Sequence, residues 1–301
     1  MVSRVDLTRR HEVSVRDATV HKDFYTLDGD GLPPDYAVEH HLGEIEGKAA
    51  TAIREVTAKG GFPPSPQCRV DLAHFLAWQL VRGEAQRAAM PDAIQHIADE
   101  IVRRNFPDAD QRKYPKVGVS KNWSLAQLPA LVQNILPMLL ARPWHLVRFD
   151  QPALVTGDMP VSLWQCTHTP DRGVSPISAD EIRFPLDPQT ALVLGTDEDE
   201  SEFNAQYRAA TAINVCLATY CRRWILHRPT HGPLNGLQVP PSPLTSALIN
   251  SEPDGSYVMP GGTRVAPREG RSQAEPPSNL LVSYGIGVQP PELLEHGPVV
   301  M

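Results

Sequence analysis

A chain of 301 residues, 41% of them hydrophobic, holds enough apolar material for one large core or two small ones without disulfide or metal staples. Its 35 acidic residues outnumber 28 basic ones and leave a formal charge of −7, so no chain-wide basic field gathers nucleic-acid phosphates. The longest uninterrupted apolar run, 135–141, is far short of the roughly 20 residues that cross a bilayer, and the opening ten residues scatter charges where a signal peptide needs its apolar centre.

These features predict no membrane span and a cytoplasmic protein. Cys68, Cys166, Cys216 and Cys221 show no C-x-x-C spacing, and the last two, five apart on an expected helix, point to different faces. All four are expected to be reduced.

Val13 and Val15 alternate with Glu12, Ser14 and Arg16, the period-two signature of a half-buried strand. Asp28-Gly29-Asp30-Gly31 with Pro33-Pro34 is turn chemistry. From 35 to about 59, Val38, Leu42, Ile45, Ala49, Ala52, Ile53 and Val56 trace one helical stripe, stopped by Gly60-Gly61. Ser65-Pro66 is an N-cap and N1 pair that opens a second helix running to about 88. A third helix is expected after Pro91, burying Ile94, Ile97, Ala98, Ile101 and Val102, and the three are expected to pack as a bundle. A fourth, 125–140, contains Pro129 and Pro137 and is expected to kink or begin late.

Beyond Pro143 the pattern shortens. The runs 144–149, 153–156, 181–186 and 191–195 are β-branched or aromatic stretches bounded by Pro, Gly and Asp, read as a small antiparallel sheet. The acidic run Asp197-Glu198-Asp199-Glu200 then suits the positive end of a closing helix, about 202–227, with Phe203, Tyr207, Ala210, Ile213, Leu217, Tyr220, Cys221 and Trp224 on its apolar face. The last 73 residues hold 13 of the 30 prolines and few periodic apolar groups, which reads as a disordered tail over 229–301. The fold class is therefore α+β: a mostly helical bundle packed with a small antiparallel sheet, one domain over 1–228.

Several stretches together carry a resemblance: Phe24-Tyr25, Leu42-Gly43-Glu44-Ile45-Glu46, the series Arg69, Phe75, Ala77, Gln79 and Arg82, the run 144–149, Val155-Thr156-Gly157-Asp158-Met159-Pro160-Val161, Phe184-Pro185-Leu186, and Asn214. Over 10 to about 228 the chain resembles the bacterial domain of unknown function 4238 family. It lacks that family's His-x-Val-Pro-type opening, which marks a divergent member, and it carries Thr-Gly-Asp where Thr-Ser-Asp is more usual. The resemblance implies a fold grouping and a set of positions, not a reaction.

Among the candidates, Asp158 follows an apolar strand, a place from which carboxylates act as divalent-metal ligands or general bases; the same residue type also fixes turns through their amides. His145, on the strand at 144–149, is a candidate proton carrier beside Asp158 if both strands share a sheet. On the second helix Asp71, Trp78 and Arg82 fall at about 200°, 180° and 220° from Arg69, a stripe suited to an anionic ligand or to a salt-bridged contact between helices. Gln79 and Asn214 complete the ligand-binding candidates. No H-E-x-x-H, G-x-S-x-G, G-x-x-x-x-G-K-[ST] or G-x-G-x-x-G pattern is present.

Two functions are compatible with these residues. In the first, a metal-assisted hydrolase, Asp158 holds a divalent cation and Arg82 with Arg69 binds the anion of a phosphate-containing substrate. The alternative is a non-enzymatic binding or regulatory protein with a helical surface on which a protein partner docks. Convergence of Asp158, Arg82, Gln79 and Asn214 in one pocket favours the first.

Overall fold

A computed structural model of the chain describes residues 2–3, 11–14, 17–18, 24–27, 35–108, 110, 116–166, 174–196, 199–230 and 232–234, and the pairs 250–251, 257–258, 264–265 and 288–289. The chain divides into two compact units, Met1–Gly83 with Val132–Leu244, and Glu84–Leu131 with Thr245–Met301. The first unit opens with β1 (Val2–Ser3), α1 (Ala37–Thr57) and α2 (Pro66–Val81). The second holds α3 (Glu84–Asn105), β2 (Lys116–Val117) and the start of α4 (Lys121–Ala141). The chain returns to the first unit for β3 (Trp144–Arg148), β4 (Thr156–Gly157), β5 (Ser162–Trp164), β6 (Glu181–Asp187), β7 (Thr190–Leu194), β8 (Ser201–Asn204), α5 (Tyr207–Tyr220) and β9 (Trp224–Leu226). Short strands β10 (Asn250–Ser251), β11 (Tyr257–Val258), β12 (Arg264–Val265) and β13 (Val288–Gln289) fall in the second.

The apolar stripe of α1 is buried at Leu42, Ile45, Ala49, Ala52 and Val56, and Gly60, at φ +76°, turns the chain after it. Ser65 caps α2 as its spacing predicts, its hydroxyl accepting from the Cys68 N–H at 3.3 Å. α1 and α2 pack against one another, whereas α3 belongs to the other unit, so the expected bundle is a helix pair. Helix α2 ends at Val81 and α3 begins at Glu84 with Pro91 inside it, since a proline removes one hydrogen bond without ending a helix that neighbours support. Helix α4 likewise runs through Pro129 and Pro137, its start fixed by the Ser120 hydroxyl accepting from the Trp123 N–H at 3.1 Å. Among the described residues α4 is the one helix long and apolar enough to cross a membrane, a reading its length carries and the short run 135–141 does not. Leu125, Leu128, Leu131, Val132 and Leu139 of α4 are buried within the protein.

The five-stranded sheet has the order β5-β6-β7-β3-β8. It is mixed where an antiparallel sheet was expected: β3 pairs β8 in parallel and β7 antiparallel. Pro185 sits at a register shift in β6, where a missing N–H is tolerated. One face, with Trp144, Leu146, Phe184 and Leu192, meets the helix pair: Phe75 packs edge-to-face on Phe184 at 5.8 Å, and the Arg69 guanidinium lies over Trp144 at 4.6 Å. The other face, with Val147, Phe149, Ala191 and Val193, packs on Ala210 and Ile213 of α5. Both faces of β6 and β7 are thus covered, which is why Ala191-Leu192-Val193-Leu194 of β7 reads as a continuous apolar run.

Arginine side chains tie the layers together. Arg148 donates to the carbonyls of Val56, Thr57 and Ala58, at 3.3, 2.9 and 3.2 Å, satisfying the negative end of α1, and pairs with Glu202. Arg142 donates to the Pro176 and Ala179 carbonyls at 3.1 and 2.7 Å and holds the turn before β6. A second sheet, β1-β9-β4, is antiparallel.

Three further expectations change. Residues 11–14 have no regular structure, and Val15 and the turn at 28–31 lie outside the described residues. The closing helix is confined to α5: Phe203 is on the exposed edge strand β8 and Trp224 on β9, because the acidic run is followed by strand pairing to β3 before any helix begins. Most of 229–301 is outside the described residues, yet Leu234 is buried against Val155, Leu217 and Ile225, so the first unit's core extends past 228.

Candidate functional site

Asp158 emerges from β4 where the second sheet meets the end of α5. Both of its carboxylate oxygens accept the Arg222 N–H at 3.2 Å, and one accepts the Arg223 N–H at 2.9 Å. The carboxylate therefore closes the α5–β9 loop over the Arg222 and Arg223 amides just past the end of α5, a charge-assisted arrangement. Gly157 is required beside it, since a Cβ there would stand 2.3 Å from Cys221 Sγ and 2.6 Å from the Trp224 carbonyl.

Asn214 is 1% exposed on α5. Its Oδ1 accepts the Val155 N–H at 3.0 Å and its Nδ2 donates to the Ala153 carbonyl at 2.7 Å, so the whole amide serves backbone that has no strand partner there. Arg69 is equally committed: it pairs with Glu200 and donates to the carbonyls of Leu140 and Arg142 at 3.1 and 2.7 Å. Glu200, from the acidic run, also accepts the Trp144 N–H at 3.3 Å.

Gln79 and Arg82 do come together, with Arg82 Nε donating to Gln79 Oε1 at 3.3 Å and Nη1 pairing with Glu46 of α1 at 2.6 Å. Asp71, expected on the same stripe, instead accepts from Gln67 at 3.1 Å, and Trp78 Nε1 donates to His74 Nε2 at 3.2 Å. Burial lowers the His74 pKa, and His41 and Lys48 lower it further against the opposing pull of Asp71. Gly83, following Arg82, sits against Met159: a Cβ on it would be 2.3 Å from Met159 Sδ. The C-terminal end of α2 and the Asp158 turn are therefore neighbours.

His145 is placed on the five-stranded sheet and Asp158 on the three-stranded one. The ring bonds Ser201 Oγ through Nδ1 at 2.9 Å, and Nε2 is buried without a partner among the described residues. Among the described residues no group of three or more His, Cys, Asp or Glu side chains is arranged to hold a metal ion.

A groove of about 510 Å³ lies between α1 and α2, lined by Glu44, Lys48, Glu55, Cys68 and Asp71 among others. Three carboxylates against one lysine make it acidic. Burial, with Glu55 beside it, pushes the Cys68 thiol up to about 12, and its S–H donates to the Ala52 carbonyl at 3.4 Å, so this wall is chemically inert. Helical periodicity locates the two helices, but the groove depends on how they pair and was not visible in the sequence.

The arrangement is that of an α+β protein in which three of the candidate polar side chains, Asp158, Asn214 and Arg69, bind the protein's own backbone. Residues 2–231 match the family model described as protein of unknown function (DUF4238), and the chain belongs to that family. Neither a curated protein nor a solved structure matches it.

Proposed function

We propose that this is a non-enzymatic binding or regulatory protein whose helix pair receives a basic segment of a protein partner. The carrying observation is the groove between α1 and α2, open to solvent and walled by Glu44, Glu55 and Asp71 against Lys48. A Lys- or Arg-bearing peptide complements it in charge, and the engagement of Asp158, Asn214 and Arg69 with backbone groups suits architecture better than turnover. A reducing, cytoplasmic setting suits four cysteines that form no disulfide with one another.

The test is fluorescence anisotropy of a labelled Lys/Arg-rich peptide titrated with the full chain. Binding is expected to weaken with salt and to fall roughly two- to fivefold for each of Glu44→Gln and Asp71→Asn. No binding, or binding indifferent to both substitutions, would remove the proposal.

The contact between Gly83 and Met159 favours one second reading, the metal-assisted phosphate hydrolase, because it sets Arg82 and the Asp158 turn side by side. On that reading Mg²⁺ or Mn²⁺ with inorganic phosphate raises the melting temperature. Saturation at about 100 times the dissociation constant adds roughly 2.7 kcal/mol. The gain disappears in Asp158→Asn and in Arg82→Ala. A melting temperature unmoved by either metal with phosphate rejects it.

A further inference from the structure

Strand β8 ends the five-stranded sheet and is paired on one side, in parallel with β3. The Ala205 N–H donates to the Arg148 carbonyl at 2.8 Å. Backbone groups alternate sides along a strand, so Ser201 and Phe203 also bond toward β3, and the N–H and C=O of Glu202 and Asn204 point out of the sheet. All four residues of β8 are exposed, so that outward row is open among the described residues. The opposite edge, β5, is closed by side chains of α5: the Leu163 carbonyl accepts from Tyr220 O–H at 3.0 Å and from Cys216 S–H at 3.6 Å.

Edge strands that stay solitary are protected by a proline, a lysine, a bulge or an uncompensated charge. Strand β8 has no such device. Its one charged side chain, Glu202, is spent on Arg148 on the helix-pair face of the sheet. On the other face stands Phe203, 48% exposed and in register with Val147 of the cluster beneath α5. Tyr207, 49% exposed, opens α5 one turn before Ala210 of that same cluster. An open hydrogen-bonding edge is therefore bordered by exposed aromatic surface, the combination that a second strand with an apolar side chain covers.

We propose that β8 is a dimerisation edge, occupied by the antiparallel β8 of a second copy of this chain. The run Ser201-Glu202-Phe203-Asn204 is self-complementary about Phe203. With the two-fold axis there, Glu202 and Asn204 of one copy exchange both backbone hydrogen bonds with Asn204 and Glu202 of the other, using the groups that point outward. The two Phe203 rings then meet in the closer, non-hydrogen-bonded pair on the α5 face. No like charges oppose one another, because each Glu202 faces an Asn204 amide and is already paired with its own Arg148. The two sheets become one continuous sheet, and the interface does not depend on the reading of the groove between α1 and α2.

Sedimentation velocity on the full chain over a dilution series is expected to show a monomer–dimer equilibrium. Phe203→Lys raises the dimer dissociation constant at least about tenfold, because it sets two ammonium groups opposite one another where two rings met. Its melting temperature stays that of wild type, since the side chain it replaces is exposed, which separates loss of the dimer from loss of the fold. Asn204→Pro weakens the dimer as well, by removing an outward N–H while the bonds to β3 remain. Val70→Lys, at a comparably exposed apolar residue of α2, leaves the constant unchanged. Amide hydrogen exchange at Glu202 and Asn204 slows as wild-type concentration rises and does not slow in Phe203→Lys. A chain that sediments as a monomer at every concentration, or a dimer that neither β8 variant weakens, overturns the proposal.

Discussion

Asn214→Ala is expected to cost about 3 to 5 kcal/mol of folding stability, read as a lower urea midpoint by circular dichroism. The substitution strips the partner from the Val155 N–H and from the Ala153 carbonyl, bonded at 3.0 and 2.7 Å, in a place with 1% exposure where water does not replace it. Each group left buried and unpaired costs about 1–3 kcal/mol, and the vacated volume adds to it. Asn214→Asp separates the two bonds. Its carboxylate still accepts from Val155 but faces the Ala153 carbonyl, so it is destabilised at neutral pH and partly recovers on acidification, when a protonated oxygen can donate. Wild-type stability in Asn214→Ala would show that the amide is free for a ligand instead.

The elements legible in the sequence are those whose signal is local. The stripe of α1 and the Ser65-Pro66 start of α2 depend on spacing and on a cap four residues or fewer away, and the structure has both. Strands β3, β6 and β7 were legible as short β-branched or aromatic stretches bounded by Pro, Gly and Asp, and β7, buried along its whole length, as an unbroken apolar run. Strand β8 was not: Ser201, Glu202, Phe203 and Asn204 are all exposed, and they are a strand only because β3 offers them a parallel edge. The continuity of α4 through Pro129 and Pro137 is likewise a tertiary outcome, since packing outweighs two missing hydrogen bonds.

For the candidate residues, the sequence indicates chemical capacity and not commitment. Arg69 reads as a free anion binder until Glu200, 131 residues away, and two carbonyls occupy it. Asp158 reads as a metal ligand or a turn-fixing group, and its amide partners at Arg222 and Arg223 come from a loop more than 60 positions on. Arg183 passed unnoticed although it carried a signal: a charge between Ile182 and Phe184 in a strand buried on both faces must be compensated, and its partner on the neighbouring strand is Ser162.

Gly157→Ala is expected to cost about 3 kcal/mol for a single methyl group, measured by thermal and urea unfolding. The new Cβ would stand 2.3 Å from Cys221 Sγ, a side chain with 0% exposure, and 2.6 Å from the Trp224 carbonyl, which is backbone of β9. Gly157 and Ile225 are register partners, so yielding to the methyl group means parting β4 from β9 and pulling Asp158 off the Arg222 and Arg223 amides. A serine would carry the same Cβ and meet the same clash, because Cys221 occupies the space. Gly43→Ala is the matched control, because nothing lies within 4 Å of its Cβ position in mid-α1, and it is expected to stabilise by about 0.5–1 kcal/mol. Adding Cys221→Ala to Gly157→Ala recovers the sulfur's share of the clash and leaves the carbonyl's, so the double-mutant cycle gives a favourable coupling. If Gly157→Ala alone unfolds like wild type, the β4–β9 pair yields more easily than its packing implies, and Asp158 is then not held by the loop as described.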